Sequence, residues 1–166
     1  KLKYLTISCK QDGDQPSIVP FVNEFLANAQ SLEGLSCLIE GMFQFFPDIF
    51  TKFWQKIKNL VNLKELYLKM NQRWHEEYIP VIAESLSHLP ELKTFYLNCL
   101  DGYAFTDAML RDLANGLPAL KQLRKLSFIT DFFYTATPEG LASFSKSIES
   151  LKALESLDLR IYRFPF

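Results

Sequence analysis

The chain is poor in the residues from which catalytic and metal centres are built. It has two histidines, His75 and His88, and neither has a Cys, an Asp or a second His at ligand spacing. His75-Glu76-Glu77 is not the HExxH pattern of a zinc protease. Cys9, Cys37 and Cys99 make an odd number with no CxxC pair, which points to neither a disulfide framework nor a zinc site. Thiols in that number suit a reducing compartment, so an intracellular, cytoplasmic setting is expected. There is no glycine-rich phosphate loop and no GxSxG elbow. Asp12-Gly13-Asp14 shares only the opening of a calcium loop, since the later ligands and the closing Glu are missing. The expectation is a protein without catalytic residues, cofactor or metal.

Charge of one sign is also lacking. Lys and Arg number 18 against 19 Asp and Glu, a net charge of -1. A nucleic-acid binder normally carries a basic stripe, so no nucleic-acid partner is expected. Electrostatic attachment to anionic membranes has no basis either. No apolar run reaches the roughly 18 residues of a membrane span. The richest stretch, "GMFQFFPDIF", is interrupted by Pro47 and Asp48. What the chain does have is 48% hydrophobic residues in 166, enough for the core of one domain over 1–166.

Those hydrophobic residues recur with a period. "LKELYL" at 63–68 has relatives at 2–7, 32–37, 92–97, 123–128 and 154–159. The first Leu of each falls at 2, 32, 63, 92, 123 and 154, giving spacings of 29 to 31 residues. Upstream positions agree as well. Three residues before each later first Leu stand Ala29, Leu60, Leu89, Leu120 and Leu151; six before stand Leu26, Ile57, Leu86, Leu117 and Ile148. Ten before stand Val22, Phe53, Ile82, Leu113 and Phe144, and thirteen before stand Val19, Phe50, Ile79, Leu110 and Leu141. Steps of three and four residues trace one face of an α-helix. Each unit therefore reads as a short strand, a loop and an amphipathic helix leading into the next strand.

Helix-start signals fall where this requires. Thr137-Pro138-Glu139 supplies an N-cap, a proline for the first helical position and an acid for the first turn. Thr106-Asp107, Pro47-Asp48 and Ser17 mark three more starts, and Pro80 lies early enough in its helix to be tolerated. Asn115-Gly116 is expected to loosen the end of the fourth helix. In the strands, positions three, five and seven after the first Leu are almost wholly apolar and should face the helices. Helical connections between successive strands make the sheet parallel. Stacking of neighbouring units supplies the core that no unit has alone.

These motifs resemble leucine-rich repeats of the ribonuclease-inhibitor-like class, best seen in "LRDLANGLPALKQLRKLSF" at 110–128. The resemblance covers essentially the whole chain. It implies an α/β leucine-rich-repeat solenoid, a horseshoe-like arc with a parallel sheet on the concave face and helices on the convex face, as five strand-helix units and a sixth strand. The family usually has Asn or Cys eight residues after the first Leu, bonding the turn. Here that position holds Lys10, Glu40, Asn71, Leu100, Asp131 and Tyr162, and only Asn71 conforms. The turns should then be individually shaped. Polar capping units are not visible, so apolar surface is expected at both ends, as in part of a longer array or chain.

Function is expected on two surfaces. The concave face should present Glu65, Tyr67, Lys69, Thr94, Tyr96 and Asn98, with the two tyrosines as neighbours about 5 Å apart. The pair reads either as interface anchors or as a cross-strand pair that stabilises the sheet. The loops after the strands are rich in aromatics, among them Phe45, Phe46, Trp74, Tyr78, Tyr103, Phe105, Phe132, Phe133 and Tyr134. They read either as a docking rim or as a small local core. The cysteines fall on the inward face and read as small hydrophobes. Trp54, beside the inward Phe53, reads either as the margin of the core or as convex surface. The resulting expectation is a non-catalytic protein–protein interaction scaffold within a larger complex, with no small-molecule substrate. The alternative is a regulator of an enzyme, such as a GTPase activator or a ubiquitin-ligase substrate receptor, for which Arg73 is the loop arginine to test.

Overall fold

The computed structural model describes residues 2–11, 19–41, 47–70, 77–99, 106–132 and 137–163. Six strands alternate with five helices along the chain. They are β1 (Tyr4–Gln11), α1 (Val19–Ala27), β2 (Gly34–Gly41), α2 (Pro47–Lys58), β3 (Glu65–Met70), α3 (Tyr78–Ser87), β4 (Thr94–Cys99), α4 (Asp107–Gly116), β5 (Lys125–Phe132), α5 (Pro138–Glu149) and β6 (Ser156–Arg163). The strands form one sheet in sequence order, β1 to β6, and every neighbouring pair is parallel. Register follows the repeat: Leu5, Leu35, Leu66, Phe95, Leu126 and Leu157 stand in one row across the sheet.

Two local devices set that register. Each helix exits through a turn that joins the ends of an L-x-x-L step (Ala29-x-x-Leu32 in the first), with Leu63 N donating to Leu60 O at 2.9 Å and Leu92 N to Leu89 O at 3.1 Å. Both leucines are then buried in the steps 60–63, 89–92 and 120–123, and Ala29 and Leu154 are partly buried. Next, the carbonyl just before each strand accepts two amides of the following unit. Lys64 O takes Lys93 N at 2.8 Å and Thr94 N at 3.0 Å, and Lys3, Glu33, Lys93 and Arg124 do the same for their successors. The side chains of this row form a ladder of charges. Glu33 lies between Lys3, at 2.5 Å, and Lys64, at 2.7 Å, and Arg124 pairs with Glu155 at 2.6 Å.

The core fills the space between sheet and helices. Phe53, Trp54, Ile57, Ile79, Ile82, Leu86, Leu110 and Leu113 of the helices meet Leu66, Leu68, Phe95, Leu97, Leu126 and Phe128 of the strands. Trp54 is fully buried, so it belongs to the core proper and not to its margin or the convex surface. It occupies the position nine residues before Leu63, which in the other units holds Asn23, Ala83, Ala114 and Ser145, and Ala83 and Ala114 are buried as it is. Gly116 closes α4, and the chain continues from it as a 3₁₀ turn over Leu117–Ala119. A Cβ there would stand 2.6 Å from the Ala83 carbonyl oxygen, so glycine is what lets α4 approach α3 this closely. Pro47, Pro80 and Pro138 all fall in first turns, where no intrahelical N–H is missed.

Caps follow the residues read as caps. The Thr106 hydroxyl accepts from Met109 N, and the Thr137 hydroxyl accepts from Gly140 N. The two helices are also tied to each other here. Asp107 accepts from Thr137 N and from its hydroxyl, both at 2.7 Å, which holds the Asp107 carboxyl below its ordinary value. The eighth residue after the first Leu is a strand residue where a turn was expected: Lys10, Glu40, Asp131 and Tyr162 lie inside strands of eight residues. β3 and β4 have six and stop before that position. Asn71 itself lies outside the described residues.

Leu68 is fully buried at the middle of the sheet, so Leu68→Ala should lower unfolding free energy by about 2–5 kcal/mol; a denaturant titration giving less than about 1 kcal/mol would contradict this packing. The charge ladder predicts a pH effect. Hydrogen bonds from Lys3 and then Lys64 pull the Glu33 carboxyl from 4.5 to about 2. A depressed folded value means that its contribution is full above 4.5 and fades as pH falls towards 2. Thermal melts of Glu33→Gln should therefore lose less stability than wild type over that window.

Candidate functional site

The face of the sheet away from the helices carries three rows of side chains. The middle row runs Thr6, Ser36, Tyr67, Tyr96, Ser127, Asp158 in register. Its neighbours run Tyr4, Gly34, Glu65, Thr94, Lys125, Ser156 and Ser8, Leu38, Lys69, Asn98, Ile129, Arg160. Period-two alternation fixes which residues face this way, and parallel pairing at constant register aligns them.

Tyr67 and Tyr96 meet as the spacing predicts. Their ring centroids are 6.0 Å apart and the planes are tilted by 33°. Tyr67 is 39% exposed, and Tyr96 is half-buried beside it. Small hydroxyl residues, Ser36 and Ser127, stand on either side in the row, so the two rings rise as a ridge above a low floor. Glu65 and Thr94 are half-buried register partners at one end of the ridge, and Lys69 pairs in register with Asn98 at the other. On β5 and β6 the polar groups engage one another: Ser127 donates to Asp158 at 3.3 Å, and Arg160 Nε donates to Asp158 at 3.0 Å. At the β1 edge Tyr4 lies over Gly34, where a Cβ would stand 2.5 Å from the ring.

Not every residue expected on this face is available. Asn98 is only 6% exposed, and its amide donates to the Tyr96 hydroxyl at 3.1 Å. It supports the Tyr96 hydroxyl and offers little surface of its own. Ile129, its register partner, is buried to the same extent, so the face is closed over at the C-terminal ends of β4 and β5. Alternation alone gives the direction of a side chain and not what covers it.

The loop rim is largely outside the described residues: Trp74, Tyr103, Phe133 and Tyr134 fall there, with Phe45, Phe46, Phe105, Arg73 and His75. Phe132 is the last residue of β5, in register with Arg163. Tyr78 is not a rim residue. It is the first residue of α3 and is 3% exposed, its hydroxyl pushed up by burial and by Glu77. Cys37 and Cys99 are buried free thiols; burial pushes Cys37 up to about 12 and Cys99 well above its ordinary value, which removes the thiolate on which cysteine chemistry depends. Among the described residues no group of three His, Cys, Asp or Glu could hold a metal ion, and no helix is long and apolar enough to cross a membrane. The charge row just before the strands went unread in the sequence, although Lys3, Glu33, Lys64, Lys93, Arg124 and Glu155 all stand one residue after a first Leu.

Fourteen solved chains match this architecture. Among them is leiomodin-1 actin-binding site 2, with a TM-score of 0.66 and 15% identity over 92% of this chain and 83% of that one. Identity at that level speaks for the fold, an α/β leucine-rich-repeat solenoid with an all-parallel sheet. No protein-family model and no curated protein sequence matches the chain.

The support role of Asn98 is testable by substitution. Asn98→Ala should cost about 1–3 kcal/mol, because it strips a buried partner from Tyr96, while Thr94→Ala on the same face should stay within about 0.5 kcal/mol. Equal costs in urea unfolding would contradict the assignment.

Proposed function

We propose that this chain is a non-catalytic protein-binding module of the ribonuclease-inhibitor-like class, which holds a protein partner on the open face of its sheet. The observation that carries the reading is the Tyr67–Tyr96 ridge. Two rings stand side by side on a face over which the described residues place no helix, one of them 39% exposed, on a backbone that cannot shift without breaking register. Tyrosine is favoured as an interface anchor because it brings large area at small entropic cost. Glu65, Lys69 and Thr94 border the ridge and would set orientation. A module that binds without chemistry also suits thiols that are buried and unpaired, as in a reducing intracellular setting. Leiomodin-1 actin-binding site 2, one structural neighbour, takes its name from binding a protein.

The test pairs affinity with stability. A partner recovered by affinity capture should bind the Tyr67→Ala/Tyr96→Ala double variant at least about 30-fold more weakly, the effect of losing a hot spot. The fold should lose no more than about 1 kcal/mol, the scale of a cross-strand pair. Unchanged affinity with lowered stability would assign the pair to the sheet instead.

A further inference from the structure

The charge row at the entrance to the strands alternates in sign only in part. We propose that the partner held on the open face presents a short acidic segment to Lys64, Lys93, Arg124 and Lys125, joined to an apolar side chain that meets the Tyr67–Tyr96 ridge. This rests on the reading of the open face as a protein-binding surface, and it names the chemistry of what that surface takes.

The row runs Lys3, Glu33, Lys64, Lys93, Arg124, Glu155, one residue from each unit. Its members are lateral neighbours, because the carbonyl of each accepts amides of the next unit. Glu33 serves both cations beside it, Lys3 at 2.5 Å and Lys64 at 2.7 Å, and Glu155 serves Arg124 at 2.6 Å. Lys93 therefore stands between two cations whose acids lie on their far sides. Among the described residues no acid forms an ion pair with Lys93 or with Lys125. Glu91, two residues before Lys93, takes Gln122 of the next unit at 3.3 Å.

Like charges in adjacent places oppose one another. Nothing in the fold asks for them here. Backbone bonds hold the register at this junction, and a glutamate in place of Lys93 would continue the alternation seen at Glu33. A local rule broken without internal compensation is expected at functional sites. The surface is also open to approach. The Lys64 and Arg124 side chains are 41% and 57% exposed, and Lys125 is exposed on the open face in register with Thr94. From this row to the ridge, β3 to β5 carry those four cations against one acid, Glu65, in a chain of net charge -1.

The size of the basic stretch decides what fits it. It ends at Glu33 on one side and at Glu155 on the other, so it spans three strands, about 10 Å from first to last at about 4.8 Å each. A nucleic acid, charged at every residue, would run on over those glutamates. A segment with two or three carboxylates fits between them. Tyr96 lies three residues beyond Lys93 in the same strand, about 10 Å along it at about 3.3 Å per residue. An extended partner covers that distance with about three residues, so carboxylates and an apolar side chain at that separation reach both places.

Fluorescence anisotropy with labelled peptides tests this. The probe has three consecutive glutamates and a phenylalanine three residues after them. One control replaces the glutamates by glutamines, and a second is a labelled single-stranded oligonucleotide of the same length. The glutamate peptide should bind about tenfold more tightly than the glutamine peptide at low salt, from exposed pairs at about two- to fivefold each. The difference should vanish at about 1 M salt, where the Debye length is about 3 Å. Lys93→Gln with Lys125→Gln should remove the preference for glutamate and leave the thermal melt unchanged. A glutamate peptide that binds no better than the glutamine peptide at millimolar concentration, or an oligonucleotide that binds more tightly than either, overturns the proposal. The ridge is judged apart from the row. Tyr67→Ala/Tyr96→Ala should weaken both peptides alike. Loss of binding in the tyrosine variant alone would keep the ridge and overturn the acidic segment; loss in the lysine variant alone would keep the acidic segment and overturn the ridge.

Discussion

One backbone oxygen per unit organises this molecule. The carbonyl that precedes each strand accepts two successive amides from the next unit, at 2.7–3.0 Å in all five junctions. That contact fixes where each strand begins relative to the last. Since the side-chain period in a strand is two, a slip of one residue would turn every buried leucine to the open face. The constant register of the six strands, and the alignment of three rows on each face, follow from it. Burial then makes the choice irreversible, because the L-x-x-L turn delivers two leucines to the core only in this phase.

The same junction shows how charge is used without a net charge. Lys3, Glu33 and Lys64 alternate in sign along the edge, and Arg124 meets Glu155 further on. Exposed pairs of this kind contribute little individually. The alternation covers part of the row, since Lys64, Lys93 and Arg124 stand next to one another in it, and the backbone contacts hold register there without help from charge. Between the helices, Gly116 on Ala83 and Asp107 on Thr137 play the matching part, one by shape and one by hydrogen bonds.

Most of the fold was legible because the repeat is a fact about spacing, and spacing survives divergence of individual residues. The inward positions from Ile79 to Leu120 and from Phe53 to Leu60 are buried where periodicity puts them. So are the pairing of Tyr67 with Tyr96 and the caps at Thr106 and Thr137. Three kinds of information were not there to be read. Asn98 and Ile129 point the expected way but are covered, and cover is a property of tertiary packing. Tyr78 was placed in a loop because helix boundaries are the weakest part of a periodic reading, and its burial as the first residue of α3 shows the helix starting there. Trp54 is fully buried at a position that holds Asn23, Ala83, Ala114 and Ser145 in the other units, which no rule about one helix face would reveal. The charge row was visible all along, one residue past each first Leu, but apolar patterns draw attention away from polar ones.

A repeat protein separates what it must conserve in shape from what it can vary. The inward rows are spent mostly on apolar residues, with Thr130 the buried polar one among those described, because a polar group there must find a partner inside the protein. The open rows have no such demand, and in this chain they differ from strand to strand: serine and threonine on β1, tyrosines on β3 and β4, an Asp158–Arg160 pair on β6. Where nothing in the fold requires a large side chain, its presence calls for another reason. Tyr67 and Tyr96 stand on such positions, between Ser36 and Ser127 in their row. Backbone contacts already hold register there, so neither ring is needed for it, and this supports the proposal that the open face takes a partner.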